Sequence, residues 1–374
     1  MKEKEIAEIR RRFRPDRSNV TRVRGCCVNN KKEIISEFSA PLGIMAQEEA
    51  GELLAILKKT LSGTPGKNLL DIEFSTQQVI ESGEHKLLMA LRDSALNDEE
   101  AVHEFYNRAI GALDTESSYL ILLAYDTYDV PYYAKDGKKQ DASSAVFSYF
   151  LCSVCPIKLT KQALGYHIQE NEFRNITPDW AVSAPELGFM FPAFDDRAAN
   201  IYNALYYSHN TDESHDGFVD AIFKTDLPMP AGEQKETFTS ALSEAVAEDC
   251  SYRVVQAVHG ELSAVIEEHK ESKGDEPPAV SKGDVEGILR SCGVPDERIS
   301  AFGEQYEKSF GTAKVSPQNV IDPKKLEIRT PDVVIKVNPE RGDLVETRVI
   351  DGVKYILIRA DGGAEVNGVG ISIT

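Results

Sequence analysis

Cysteine is scarce in this chain, tryptophan occurs once, and long apolar runs are missing. Six cysteines in 374 residues, two of them adjacent, do not form a disulfide framework. That usage points to a reducing cytoplasm. No apolar run approaches the roughly 18–20 residues that a membrane-spanning helix needs, so no membrane role is expected. The first residues, MKEKEIAEIRRRFRPDR, are charged with no apolar stretch behind them, which argues against a secretory signal. Motifs of catalysis are missing too: no histidine pair reads H-E-x-x-H and no serine sits in G-x-S-x-G. The seven histidines are scattered, mostly on expected helix surfaces.

What is present is an ordinary globular composition, 41% hydrophobic and 28% charged, in a length that suggests two or three domains. The net charge of −19 is unevenly spread. Residues 1–32 carry eleven Lys/Arg against four Asp/Glu, a local +7 that leaves −26 on the remainder. An acidic body repels polyanions, so nucleic acid is an unlikely partner except through residues 1–32.

Patterning gives the elements. Ile6, Ile9 and Phe13 space a short amphipathic helix that must stop before Pro15. NVTRVRGCCVNNKKEIISEF reads as two strands around a polar turn. Leu53, Leu54, Leu57 and Leu61 stripe a helix closed by Gly63, and Val102, Phe105, Tyr106, Ala109 and Leu113 stripe another, capped at Asn97 or Asp98. SYLILLAYD and Val146–Leu159 are apolar runs of strand length, suited to a sheet covered on both faces. LGYHIQENEFRNI suggests a hairpin turning near Glu170 and Asn171. From DDRAANIYNALYY to residue 271 the composition reads as helical.

KESKGDEPPAVSKGD is charged and nearly free of large apolar residues. It sets the expected boundaries: a mixed α/β domain over 1–270, a linker at 271–283, and a smaller module of two helices and a β-meander over 284–374. The fold class is α+β. In the tail, Asp351-Gly352 and Asn367-Gly368 sit between alternating apolar residues, a hairpin signal.

Three stretches carry candidate chemistry. In YFLCSVCPIKL, Cys152 and Cys155 form C-x-x-C, but a zinc site needs four ligands. Residues i and i+3 of a strand face opposite sides of the sheet, and Pro156 disfavours the helix start of a redox motif. No metal is therefore expected there. LSGTPGKNLL has too few residues between its glycines for a P-loop, and Asn68 replaces the hydroxyl, leaving Gly66, Lys67 and Asn68 as a weak anion site. Asp126 and Asp129 follow a core strand, and Asp195, Asp196 and Arg197 follow another. These carboxylates either cap and turn the chain or together hold a divalent metal. Trp180 and the tyrosines read as core or interface material.

Over nearly its whole length the chain resembles a family of uncharacterised bacterial proteins, the domain-of-unknown-function 4317 family. The resemblance rests on TRVRGCCV, LSGTPGKNLL, YDTYDVP, LCSVCPIKL, PELGFMFPAFDDR, LYYSHN, AGEQKETF and TPDVVIKVNPERGDLVETRVIDGVKYILI. It implies a bacterial cytoplasmic protein and brings no activity with it. The residues then favour a non-enzymatic binding or regulatory protein without a cofactor, its C-terminal β module recognising a protein or small-molecule partner. The alternatives are a metal-dependent phosphoester hydrolase built on Asp126, Asp129, Asp195 and Asp196, and an RNA- or ribosome-associated factor using the basic head.

Overall fold

The computed structural model describes residues 1–374 except 134–138, 212, 214, 247–249, 273–276, 367 and 374. The contacts divide the chain into two units, Met1–Pro230 and Ala231–Thr374.

In chain order the first unit begins with α1 (Glu3–Arg10), β1 (Arg22–Val28), β2 (Ile34–Pro41) and α2 (Gln47–Lys59). There follow β3 (Leu69–Glu73), α3 (Thr76–Glu81), α4 (Gly83–Asp93), α5 (Glu99–Ala112), β4 (Tyr119–Tyr133) and β5 (Lys139–Leu159). It continues through β6 (Ala163–His167), β7 (Glu172–Ile176), β8 (Trp180–Val182), β9 (Leu187–Phe191) and β10 (Ala193–Asp195). It closes with β11 (Ala198–Asn200), β12 (Asn203–Ser208) and α6 (Asp216–Phe223). The sheet runs β2-β1-β4-β5-β9-β12-β3, with β8 added beside the end of β5. Every pairing in it is antiparallel.

The long apolar runs have a simple reason: both faces of this sheet are covered. Ile121 and Leu123 of β4, with Phe150, Cys152 and Val154 of β5, enter a core roofed by α4, α5 and α6. Their neighbours Leu122, Ala124, Tyr149, Leu151 and Cys155 enter a second core under α1 and α2. A period of two thus yields two apolar faces and one continuous apolar string. At the crossing of β5 and β9, Gly188 is obligatory, because a Cβ there would stand 2.3 Å from the Cys152 carbonyl oxygen. Beside it Thr60 and Ser153 satisfy each other's hydroxyls at 2.7 Å, buried.

Residues 195–207, expected as helix, lie in strands and the turns between them. Asp196 and Arg197 both take left-handed backbone, φ 46° and 63°, and form the two-residue turn of the β10–β11 hairpin. That turn matches the natural strand twist, which a helix start at Asp195 would not supply. β12 then lies between β9 and β3, buried from Ala204 to Ser208.

The second unit holds α7 (Ala231–Val246), α8 (Tyr252–Ser272), α9 (Lys282–Ser291), α10 (Asp296–Phe310) and α11 (Pro317–Val320). Then come β13 (Leu326–Arg329), β14 (Val334–Val337), β15 (Val345–Ile350), β16 (Val353–Ile358), β17 (Ala364–Val366) and β18 (Val369–Ile371). Helices α7 and α8, attached by composition to the first domain, share one core with α9 and α10: Phe238, Leu242, Val258, Leu262, Leu289 and Phe302 pack together. Their apolar stripes need cover, and α9 and α10 supply it. The composition-based linker lies partly outside the described residues. Its later part is structured, since Val280 is buried and bridges Val315. The expected meander is instead three separate two-stranded sheets, β13–β14, β15–β16 and β17–β18. A 3-10 segment at Pro339–Leu344 separates the first two. Asn367, half of one expected turn signal, is not among the described residues, whereas Asp351-Gly352 turns as expected with φ 50° and 81°.

Candidate functional site

The candidate carboxylates meet around α1. That helix forms because Ile6 and Ile9 recur at helical spacing, and they are buried in the second core with Phe13. Its polar side faces β4 and the β10–β11 turn. Asp126 does not follow β4 but lies inside it, 1% exposed. Its Oδ2 accepts from Arg12 Nε at 3.1 Å and from the Tyr149 hydroxyl at 2.7 Å. Its Oδ1 accepts from the backbone N–H of Asn19 at 3.1 Å and of Thr127 at 2.9 Å. Two of the four bonds, from Arg12 and Asn19, hold the chain that leaves α1.

The other candidates make the same kind of contact. The Met1 amino group lies 2.9 Å from Asp71 Oδ1 and 3.1 Å from Asp195 Oδ1. Burial acts to lower this amine's pKa, yet Asp71 and Asp195 outweigh it and hold it above its ordinary value. Asp196, on the exposed turn, accepts from Lys2 Nζ at 2.7 Å. Arg197 donates to Glu8 Oε2 at 2.8 Å and to the Pro131 carbonyl at 3.2 Å. Glu8 also accepts from the Tyr128 hydroxyl. Asp129 starts no turn; it is exposed within β4 and lines a groove beside α1 with Lys4, Arg11, Arg12 and Arg17. Among the described residues, no three His, Cys, Asp or Glu side chains are grouped to hold a metal ion. Asp126, Asp195 and Asp196 meet cations of the head rather than one another.

The remaining candidates sort as follows. Cys152 and Cys155 enter opposite cores. Burial pushes the Cys152 thiol well above its ordinary pKa and the Cys155 thiol up to about 12, the reverse of what a reactive thiolate requires. All six cysteines are free. At Gly66-Lys67-Asn68 the backbone N–H groups donate to Leu69 and Thr64 carbonyls inside a turn. The Asn68 amide donates to the Ser208 and His209 carbonyls at 3.1 and 3.3 Å. The backbone donors an anion would use are spent on the turn itself.

Two exposed apolar surfaces remain: an arm that was not foreseen as a site, and the C-terminal β module expected as the recognition element. β6, β7 and the β5–β8 pair form an arm on which Tyr166 and Phe173 face each other across the strands, rings 5.1 Å apart. Leu159, Leu164 and the chain's one tryptophan, Trp180, are exposed on it as well. In the tail, Val349, Val353, Tyr355 and Ile358 of the β15–β16 ribbon are exposed, as are Val366 and Val369 of the next. A lone tryptophan beside a predicted hairpin was the available signal for the arm.

The protein is thus an α+β protein whose antiparallel sheet carries helices on both faces, joined to a helical unit with β-ribbons. A family model described as a domain of unknown function, DUF4317, matches residues 1–369, and the chain belongs to that family. No curated protein and no solved structure matches it. Among the described residues, no helix is long and apolar enough to cross a membrane.

Proposed function

We propose that this chain is a non-enzymatic binding protein of the bacterial cytoplasm, whose C-terminal β-ribbons take up a protein partner by strand addition. One observation carries the reading. Three two-stranded sheets follow one another, none gains a third strand among the described residues, and apolar side chains stand exposed on them. An isolated two-stranded hairpin is marginally stable in water, and open strand edges are templates for another strand. The six free cysteines suit a reducing compartment. The reading invokes no metal or cofactor, and Asp126, Asp195 and Asp196 are already engaged by the head.

A photo-crosslinking residue in place of Tyr355 tests it in the native host. The expected result is a discrete protein adduct that disappears when Val349→Lys is added and persists with a control change, Lys161→Glu, on the arm. Amide exchange in the purified protein gives the second readout. Backbone amides of residues 345–358 should exchange within seconds without a partner. Slow exchange there in the isolated monomer, with no adduct, would refute the proposal.

A further inference from the structure

We propose that the β6–β7 arm is a self-association surface, on which a second copy of this chain packs its own β6–β7 ribbon face to face across a two-fold axis. This surface lies in the first unit and stands independently of the β-ribbon reading. The pairing register makes the ribbon two-sided. Leu164 and Tyr166 share a face with Phe173, the cross-strand partner of Tyr166. Gly165, Glu172 and Arg174 point to the other face, where Arg174 pairs with Glu170 and Glu172. One side is therefore apolar and the other polar, the pattern of a strand pair that is meant to be covered on one side.

The needs of the hairpin do not account for this face. The Tyr166–Phe173 pair holds the two strands together. Leu164, opposite Asn175, and Ile168, at the turn, add nothing to that pairing. Leu164, Ile168 and Phe173 are 66%, 84% and 69% exposed, and Tyr166 is 49% exposed. Together they offer on the order of 500 Å² of apolar side-chain surface. Two copies then bury about 1,000 Å² in total, the size at which a specific interface begins. Face-to-face packing of two ribbons closes the apolar side of both, as in any two-layer sheet.

Charge selects a second copy as the occupant. Residues 157–182 hold Lys158, Lys161 and Arg174 against Glu170, Glu172 and Asp179, a net charge of zero in a chain of −19. Two acidic molecules repel each other least where each is neutral. The charges are also segregated along the arm: Lys158 and Lys161 lie at its base, and Glu170 and Glu172 at its tip with one arginine between them. A two-fold axis through the Tyr166–Phe173 pair runs the arms antiparallel and sets each acidic tip beside the other's basic base, Glu170 near Lys161 of the second copy. Such an isologous contact satisfies itself with one patch. A lipid surface fits less well, because the tip that would enter it carries Glu170 and Glu172, which are costly in hydrocarbon.

The test is sedimentation equilibrium of the intact protein from about 1 to 200 µM, spanning the affinities of small interfaces. The expected result is a reversible shift from the monomer mass to twice that mass. Phe173→Lys should raise the dissociation constant at least tenfold at unchanged melting temperature, since each substitution counts twice in a two-fold dimer. Leu164→Ala, which keeps the Tyr166–Phe173 pair and so the hairpin, should weaken association in the same direction. Glu172→Gln, on the polar face, should leave it unchanged. A monomer mass at every concentration, or a dimer that Phe173→Lys and Leu164→Ala both leave intact, would overturn the proposal. So would a monomer that floats with phosphatidylcholine vesicles and loses them on Phe173→Lys, which would assign the face to lipid.

Discussion

Asp126 accepts four hydrogen bonds, two of them from side chains on other segments, Arg12 and Tyr149. Its role decides between two readings of the aspartates. Within a metal-free cluster, removing one charge relieves repulsion and raises stability. As a buried counter-ion, removing its charge leaves the Arg12 guanidinium without a counter-charge, which costs on the order of 3 kcal/mol. Asp126→Asn should therefore lower the urea midpoint, and a rise would contradict the arrangement. Cys155 allows a similar test. With both thiols raised by burial, Cys152 and Cys155 should resist alkylation until unfolding. Cys155→Ser should lose about 1–3 kcal/mol through an unpaired buried hydroxyl. His85 departs from the expected surface placement: it is buried, 2.8 Å from the Ile201 carbonyl and edge-on to Phe74 and Phe191.

Among the elements, α6 contains a pH-sensitive start. His215 precedes it in left-handed backbone, φ 49°. Burial lowers its pKa, and Glu213, Glu186 and Asp216 only partly oppose that. The unfolded chain thus takes up a proton near pH 6.5 that the folded chain still refuses. Stability is fully present above that pH and falls as pH drops through the folded pKa. His215→Asn keeps a residue that tolerates left-handed backbone and should flatten this part of the stability–pH curve. An unchanged curve would show that another group sets it. The β10–β11 hairpin shows why a local pattern misled at residues 195–207. Asp, Asn and Arg read as polar helix, and only pairing with β11 makes Asp196-Arg197 a turn.

For the whole molecule the decisive contrast is between composition and packing at the unit boundary. The stretch 271–283 looks like a linker, yet α8 before it and α9 after it bury one core. Limited proteolysis within 271–283 should leave fragments that co-elute on a sizing column and part only in denaturant. Cleavage at 224–230, between α6 and α7, should instead release two separately folded pieces, matching the division after Pro230. Fragments from the first cut that separate freely would contradict the shared core.

Local chemistry by itself determined the pieces that depend on near neighbours. Apolar strings of strand length had to be buried on two faces, Cys152 and Cys155 had to point apart, and Asp351-Gly352 had to turn. The +7 head and −26 body also showed that opposite charges were available to pair. Sequence could not show which carboxylate each cation meets, because Arg12 and Asp126, or Lys2 and Asp196, are joined only by the fold across 114 and 194 residues. Nor could it assign α7 and α8 to their unit, since an apolar stripe demands cover without naming its source. Tertiary structure decided both, because long-range partners are chosen by the path of the sheet and by the packing of helices, not by adjacent residues.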